Sequence, residues 1–106
     1  MEIFLSMKPV IEKIVKWLRD YADSNNMQGF VIGISGGIDS AVVSTLCAET
    51  GLPTLAVSIP INQIKVLDDR SEIQKNWLKS KYSNVTTQRF DLSETFENFK
   101  KHVPTN

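Results

Sequence analysis

The chain has 106 residues, of which 42% are hydrophobic and 23% charged, as is ordinary for one small globular domain. Lysine plus arginine and aspartate plus glutamate both number 12, so the formal net charge is zero and nothing indicates a nucleic-acid-binding surface. The single cysteine, Cys47, excludes an intrachain disulfide, and the lack of a long apolar run or a signal-like N-terminus predicts a cytoplasmic protein without a membrane partner.

The first half of the chain predicts a helix, a strand and a second helix. Apolar residues recur at helical spacing from Pro9 to about Ala22, and Pro9 itself fits only in the first turn. Gly29 to Ile34 is a near-continuous apolar run, which is typical of a strand covered on both faces. A helix is then predicted from about Asp39 to Thr50, where Gly51 is well placed to end it.

The second half predicts two further strands, each followed by a helix. The sequence LPTLAVSIP indicates a buried strand that Pro60 closes, and Leu67 to Tyr82 indicates a polar helix. After the short β-rich run NVTTQRFD, Asp91 and Glu94 have the spacing of a capping box that opens a last helix. This alternation of strands and helices predicts an α/β fold with a parallel sheet and right-handed crossovers.

The sequence SGGIDS, from Ser35 to Ser40, falls between the first strand and the second helix, where open α/β sheets bind ligands. Glycines let the backbone approach phosphate oxygens, and a helix N-terminus favours an anion. The spacing fits neither a Walker loop nor a dinucleotide fingerprint, because Ile38 and Asp39 stand where the former needs glycine and lysine. The carboxylate of Asp39 would repel a phosphate group, so Asp39 suits a phosphate site if Mg²⁺ bridges the carboxylate and the phosphate oxygens. The alternative is a tight turn in which Asp39 only caps the helix.

The same residues resemble the pyrophosphate-binding loop of the N-type ATP pyrophosphatases, whose fold is adenine nucleotide alpha hydrolase-like. The longer sequences GFVIGISGGIDSAV, AVSIP and FDLSETFENF resemble the ammonia-dependent NAD synthetases of that superfamily, over about Val10 to Phe99. The resemblance implies a doubly wound parallel sheet in one domain, of which this chain would be the N-terminal portion, ending after the third strand. Residues 1–28 would form a leading helix and linker, and residues 29–106 a nucleotide-binding βαβαβα unit.

The resemblance also implies a site for ATP and Mg²⁺. The loop would wrap the β- and γ-phosphates, Asp39 would bind Mg²⁺, and the end of the second strand would border the adenosine. The ATP-binding residues so implied are Gly33, Ile34, Ser35, Gly36, Gly37, Ile38, Asp39, Ser40, Ser58 and Ile59. No catalytic residue is assigned beyond the loop. Tyr21 has the spacing of an aromatic that the family can place in the dinucleotide site at its dimer interface, although an aromatic in a helical stripe more often packs in the core.

The implied activity is the ATP-dependent amidation of deamido-NAD by ammonia, through an adenylate, with release of AMP and pyrophosphate. The enzyme would be a ligase and a homodimer, and this 106-residue portion is expected to be inactive alone. Two alternatives stay open. One is another enzyme with this loop, such as a GMP synthetase or a tRNA-modifying enzyme, and the other is a non-catalytic nucleotide-binding module.

Residues outside the loop are expected to have structural roles. Cys47 is expected to be a small buried hydrophobe, and Gln63 is the polar residue nearest to where the family commonly has a serine. The first strand would lie mid-sheet in the family, so here its unpaired edge predicts self-association or marginal stability. His102 is assigned no role. Solvated helix faces are expected for Lys75, Lys79, Lys81, Lys100 and Lys101.

Overall fold

Helices and strands alternate along the backbone of residues 2–104, which the computed structural model describes; side chains are described for residues 7–104. The helix that follows the first strand ends at Glu49, one residue before the predicted end, with Thr50 as its C-cap, and Gly51 follows with a φ of 79°. None of the described helices is both long enough and apolar enough to cross a membrane. The element order is the predicted one: α1 (Glu2–Ser24), β1 (Phe30–Gly33), α2 (Ile38–Glu49), β2 (Thr54–Ser58), α3 (Lys65–Lys81), β3 (Val85–Arg89) and α4 (Ser93–His102).

The sheet is parallel, with the strand order β1-β2-β3. Phe30 to Gly33 pair with Thr54 to Val57, and Thr54 to Ser58 pair with Val85 to Arg89. α2 and α3 both pack on β2 and contact each other, so they lie on the same face of the sheet. The predicted α/β fold with a parallel sheet is thus confirmed. Beneath the two helices, the core consists of Ile34, Ala48, Ala56, Leu78 and Val85.

β1 is an edge strand of this sheet, and the described residues cover only one of its faces. Phe30 and Ile32 are half-buried, whereas Val31 is 74% exposed. The prediction that this strand is covered on both faces is therefore wrong for the described residues, because α2 and α3 pack on the face opposite Val31. Among residues 2–104, no strand pairs with the outer side of β1, so within this stretch its main-chain groups there are available for pairing.

α1 is longer than predicted, and one row of its apolar side chains is exposed. It begins at Glu2, so the prediction that Pro9 lies in the first turn is wrong: Pro9 removes one backbone hydrogen bond, and the helix continues on both sides of it. Tyr21 is 51% exposed and stacks on Trp17, with ring centroids 5.4 Å apart, so it does not pack in the core. These two rings belong to an exposed apolar row that we call the α1 stripe: Met7, Val10, Ile14, Trp17 and Tyr21.

Side chains near the carboxyl end of the chain depart from the predictions at two points. Lys75 does not lie on a solvated face, because its ammonium is turned toward β2 and β3. Asp91 does not form a capping box, because the N-cap of α4 is Leu92; Oδ1 of Asp91 accepts a hydrogen bond from the N–H of Ser93, the first residue of α4, at 2.9 Å. Hydrogen bonds from the hydroxyl and N–H of Ser93 hold the pKa of Asp91 below its usual range, with a smaller contribution from Arg89. Cys47 is buried as predicted, and desolvation raises the pKa of its thiol.

Candidate functional site

The loop between β1 and α2 turns sharply at Gly36. This residue has a φ of 87°, which only glycine adopts readily, and a Cβ atom there would overlap the carbonyl oxygen of Leu67 on α3. Gly37 follows as the N-cap of α2, with an extended backbone and no side-chain hydrogen bond to the first turn. The two glycines therefore let the loop lie close to α3 and leave the first N–H groups of α2 without a side-chain cap.

Two serines fix the shape of this loop. The N–H of Ser35 donates to Oγ of Ser40 at 3.1 Å, and the two hydroxyl oxygens are also 3.1 Å apart. The Ser35 hydroxyl accepts a hydrogen bond from the N–H of Gly37 at 3.2 Å, and the Ser40 hydroxyl donates to the carbonyl of Gly37 at 3.2 Å. Both hydroxyls are thus held at the start of α2 by the loop's own hydrogen bonds.

The loop forms one wall of a cleft of about 630 Å³ at the carboxyl ends of β1 and β2. The N–H of Ile34 donates to the carbonyl of Val57 at 2.7 Å, which ties the start of the loop to β2. Nε2 of Gln63 donates to the carbonyl of Ser35 at 2.9 Å, which ties the loop to the β2–α3 connection. The opposite wall is mainly apolar and is formed by Val57, Ile59, Pro60 and Ile61.

Asp39 is the acidic residue of the cleft. It is exposed and lies in the first turn of α2, and the N-cap of that helix is Gly37, so the alternative in which Asp39 only caps the helix has no support from the geometry. Among residues 7–104, no group of three or more His, Cys, Asp or Glu side chains could hold a metal by itself. One exposed carboxylate nevertheless fits Mg²⁺, which is commonly bound by one or two carboxylates together with phosphate oxygens and water.

The cleft brings together six of the residues that the sequence assigns to ATP: Gly33, Ile34, Ser35, Asp39, Ser40 and Ile59. Three others, Gly36, Gly37 and Ile38, lie on the far side of the loop, against a smaller cleft of about 280 Å³. Arg70 of α3 also lines that smaller cleft. The nucleotide-binding roles of all these residues stay predictions.

Two predicted site residues lie outside both clefts. Ser58 is 1% exposed, and its hydroxyl accepts a hydrogen bond from Lys75 at 2.7 Å rather than facing the cleft. Tyr21 belongs to the α1 stripe. A role for Tyr21 in substrate binding would therefore require a surface that packs on α1, as the predicted dimer would provide.

Sequence reasoning missed Lys75 and Arg70 and left the role of Gln63 open. Gln63 is a plain polar residue in a connection, and its contact with the loop depends on the fold. In the structure Lys75 lies at helical spacing from Ser71 and Leu78, which are both fully buried, but of the two only Leu78 is apolar, so the buried row is not evident from the sequence. A charged residue on the buried row of a helix indicates a paired cation rather than a solvated one.

The sequence matches the family model for NAD synthase over residues 10–106. The NH(3)-dependent NAD(+) synthetase of Carboxydothermus hydrogenoformans is 54% identical over 97 residues, which cover 88% of this chain and 40% of that protein. The NH(3)-dependent NAD(+) synthetase of Finegoldia magna is 32% identical over 87 residues, which cover 81% of this chain and 34% of that protein. The chain thus spans about 40% or less of the length of these two relatives.

Two solved structures have a similar fold. The NH3-dependent NAD synthetase from Campylobacter jejuni, solved with a nitrate ion, has a TM-score of 0.77 at 26% identity, over 93% of this chain and 42% of that chain. The NMN synthetase from Francisella tularensis has a TM-score of 0.76 at 32% identity, over 92% of this chain and 41% of that chain. Each likeness takes in nearly all of the present chain and less than half of the compared chain.

Proposed function

The chain belongs to the NAD synthase family, and on that premise we propose that the protein that carries it makes NAD from deamido-NAD, ATP and ammonia. The single observation that supports ATP as a substrate is the glycine loop, which borders a cleft at the carboxyl ends of β1 and β2. The names of the relatives support ammonia as the nitrogen donor. We propose further that the 106 residues bind the nucleotide but do not complete the reaction alone.

The loop would hold the two phosphates that leave together as pyrophosphate. N–H groups in the first turn of α2 are donors for phosphate oxygens, and their fixed positions would favour the charge that develops on the leaving group. The hydroxyls of Ser35 and Ser40 each have one proton, which would turn from its partner within the loop to a phosphate oxygen when the nucleotide binds. Val57 and Ile59 would border the adenosine. Asp39 would hold Mg²⁺ together with phosphate oxygens, and the bound ion supplies positive charge that offsets that of the pyrophosphate.

The reaction that we propose has two steps. A carboxylate oxygen of the nicotinate group attacks the α-phosphorus of ATP, the bond from that phosphorus to the bridging oxygen breaks, and pyrophosphate leaves. Ammonia then attacks the carbonyl carbon of the acyl-adenylate, the amide forms, and AMP and a proton are released. The chain supplies no covalent nucleophile in this scheme, and its described residues bind and orient the phosphates.

The products test this proposal. With ATP, deamido-NAD and ammonium, the whole protein is expected to form AMP and pyrophosphate in step with NAD, because a loop that holds the β- and γ-phosphates together favours cleavage next to the α-phosphate. The nucleotides are measured by anion-exchange chromatography. The 106-residue chain, assayed alone at the same concentration, is the control and should form no NAD. Formation of ADP in place of AMP would contradict the proposal.

A second product is favoured by the likeness to the Francisella tularensis NMN synthetase, at 32% identity. In that case the same cleft would bind ATP, and the amide would form on a mononucleotide rather than a dinucleotide. Offering the two carboxylate substrates in separate reactions distinguishes the candidates, because NMN and NAD separate in the same chromatographic run.

We propose that the homodimer forms through the α1 stripe, because an exposed apolar row of this kind is typical of an interaction surface. In sedimentation, the 106-residue chain is expected to form dimers or larger species through this stripe and through the edge of β1. Trp17→Lys should weaken the first mode and Val31→Lys the second, since a charge at either place opposes pairing. Both residues are exposed, so circular dichroism should find both variants folded. A wild-type chain that stays a stable monomer at high concentration would contradict both surfaces.

A further inference from the structure

Lys75 is a buried cation with two hydrogen bonds and one ion pair. It lies on α3 and is 3% exposed. Its Nζ donates to Oγ of Ser58 at 2.7 Å and to the carbonyl oxygen of Gln88 at 3.2 Å, and it forms an ion pair with Oε1 of Glu72 at 2.7 Å. Two of the three ammonium protons are therefore hydrogen-bonded, and Oε1 of Glu72 balances the charge as a counter-ion without hydrogen-bonding geometry. Burial to this extent requires such partners, because taking a charge out of water is costly.

The acceptors of Lys75 outside α3 lie at the ends of two neighbouring strands. Ser58 is the last residue of β2, and Gln88 of β3 pairs with Val57 of β2. The ammonium therefore joins α3 to the ends of β2 and β3 at once. Arg89, next to Gln88, pairs with Asp68 of α3 at 3.0 Å, so a second ion pair reinforces the same corner of the fold.

The end of β2 that Lys75 holds is also a wall of the cleft. Side chains alternate along a strand, so Ser58 faces α3 while its neighbours Val57 and Ile59 line the cleft. The carbonyl of Val57 accepts the hydrogen bond from Ile34, where the glycine loop begins. Lys75 therefore holds the end of β2 from the side of α3. That end of β2 sets the distance between the apolar wall of the cleft and the glycine loop. A lysine beside a serine can also activate it as a nucleophile, but Ser58 is too deeply buried to meet a substrate.

We propose that Lys75 is a positioning residue for nucleotide binding, which acts through the hydroxyl of Ser58 to hold the apolar wall of the cleft in place. The proposal rests on the proposed function, because it takes ATP as the ligand of the cleft. Lys75 itself does not touch the ligand in this role.

Equilibrium binding of ATP with Mg²⁺, measured by titration calorimetry, tests the proposal. Lys75→Met keeps the length of the side chain and removes its donors, and we expect about tenfold weaker ATP binding. Ser58→Ala removes the hydroxyl alone and should weaken binding to a similar extent, and the double variant should bind no more weakly than Lys75→Met. Lys79→Met is the matched control, because it is the same substitution at an exposed position of α3, and it should bind as the wild type does.

Hydrogen exchange separates positioning from a general loss of stability. The amide protons of Ile34 and Phe90 bond to the carbonyls of Val57 and Ser58, and both should exchange faster in Lys75→Met, without a matching change at Thr50, the C-cap of α2. Faster exchange with unchanged ATP affinity would make Lys75 merely structural and overturn the proposal. So would unchanged affinity in Ser58→Ala, which decides the question if Lys75→Met does not fold. A wild-type protein that fails to bind ATP would instead overturn the proposed function.

Discussion

Asparagine in place of Asp39 is expected to abolish the gain in ATP affinity that Mg²⁺ provides and to lower kcat/KM of the whole protein about a hundredfold or more. Asparagine keeps the shape of the side chain but removes the negative charge that would hold the ion. The fold should persist, because Asp39 is exposed and the N-cap of α2 is Gly37. Losing a carboxylate from the first turn of a helix lowers stability by only about 0.3–1 kcal/mol.

Calorimetric titrations with ATP, each with and without Mg²⁺, measure this effect separately from turnover. Asp23→Asn is the matched control, because it removes an exposed carboxylate from α1, outside both clefts. The control should keep the full response to Mg²⁺. If the Asp39 variant also responded to Mg²⁺ and turned over at the wild-type rate, Asp39 would only supply a favourable charge to the helix N-terminus.

Alanine in place of Gly36 is expected to lower the free energy of unfolding by about 3 kcal/mol and to weaken ATP binding. Two effects combine at this position. A φ of 87° is unfavourable for any residue with a Cβ atom, and that atom would also overlap the carbonyl oxygen of Leu67. The overlap is with backbone, which cannot rotate away as the end of a side chain could. The loop must therefore move away from α3, and the serines that it positions must move with it.

Urea denaturation measures the change in stability. Gly33→Ala is the matched control, because it adds the same methyl group a few residues earlier, where a Cβ atom would have no neighbour within 4 Å. Its free energy of unfolding should stay within about 0.5 kcal/mol of the wild type. Equal stability of the two alanine variants would mean that the loop does not lie against Leu67.

The elements could be predicted because each has a strong local signal. β1 and β2 are apolar runs bounded by glycine, proline or polar residues, and Gly51 marks the end of α2. The glycine loop was equally clear, because two adjacent glycines at a strand-to-helix junction indicate a tight turn, and one of them, Gly36, does have a backbone conformation that other residues avoid. Local signals of this kind do not depend on residues that are distant in the sequence.

The predictions that failed depend on residues far away in the sequence. The burial of Lys75 requires Ser58 and Gln88, which lie on two different strands. The exposure of Val31 and Tyr21 depends on what packs outside β1 and α1. An apolar residue indicates that a surface can be buried, but its type does not identify which part of a protein covers it. The prediction for Pro9 is an exception, because it failed for a local reason: proline favours a first turn but does not require one.

The contact between Gln63 and the carbonyl of Ser35 has a consequence for the order in which the site is built. The two residues are 28 positions apart, and Leu67, against which Gly36 packs, comes later still. During synthesis the sequence SGGIDS therefore leaves the ribosome well before the residues that fix its shape. The loop can reach its final conformation only after these non-local contacts form. A nascent chain that has reached only Asn62 contains every residue of the motif and neither of these two contacts.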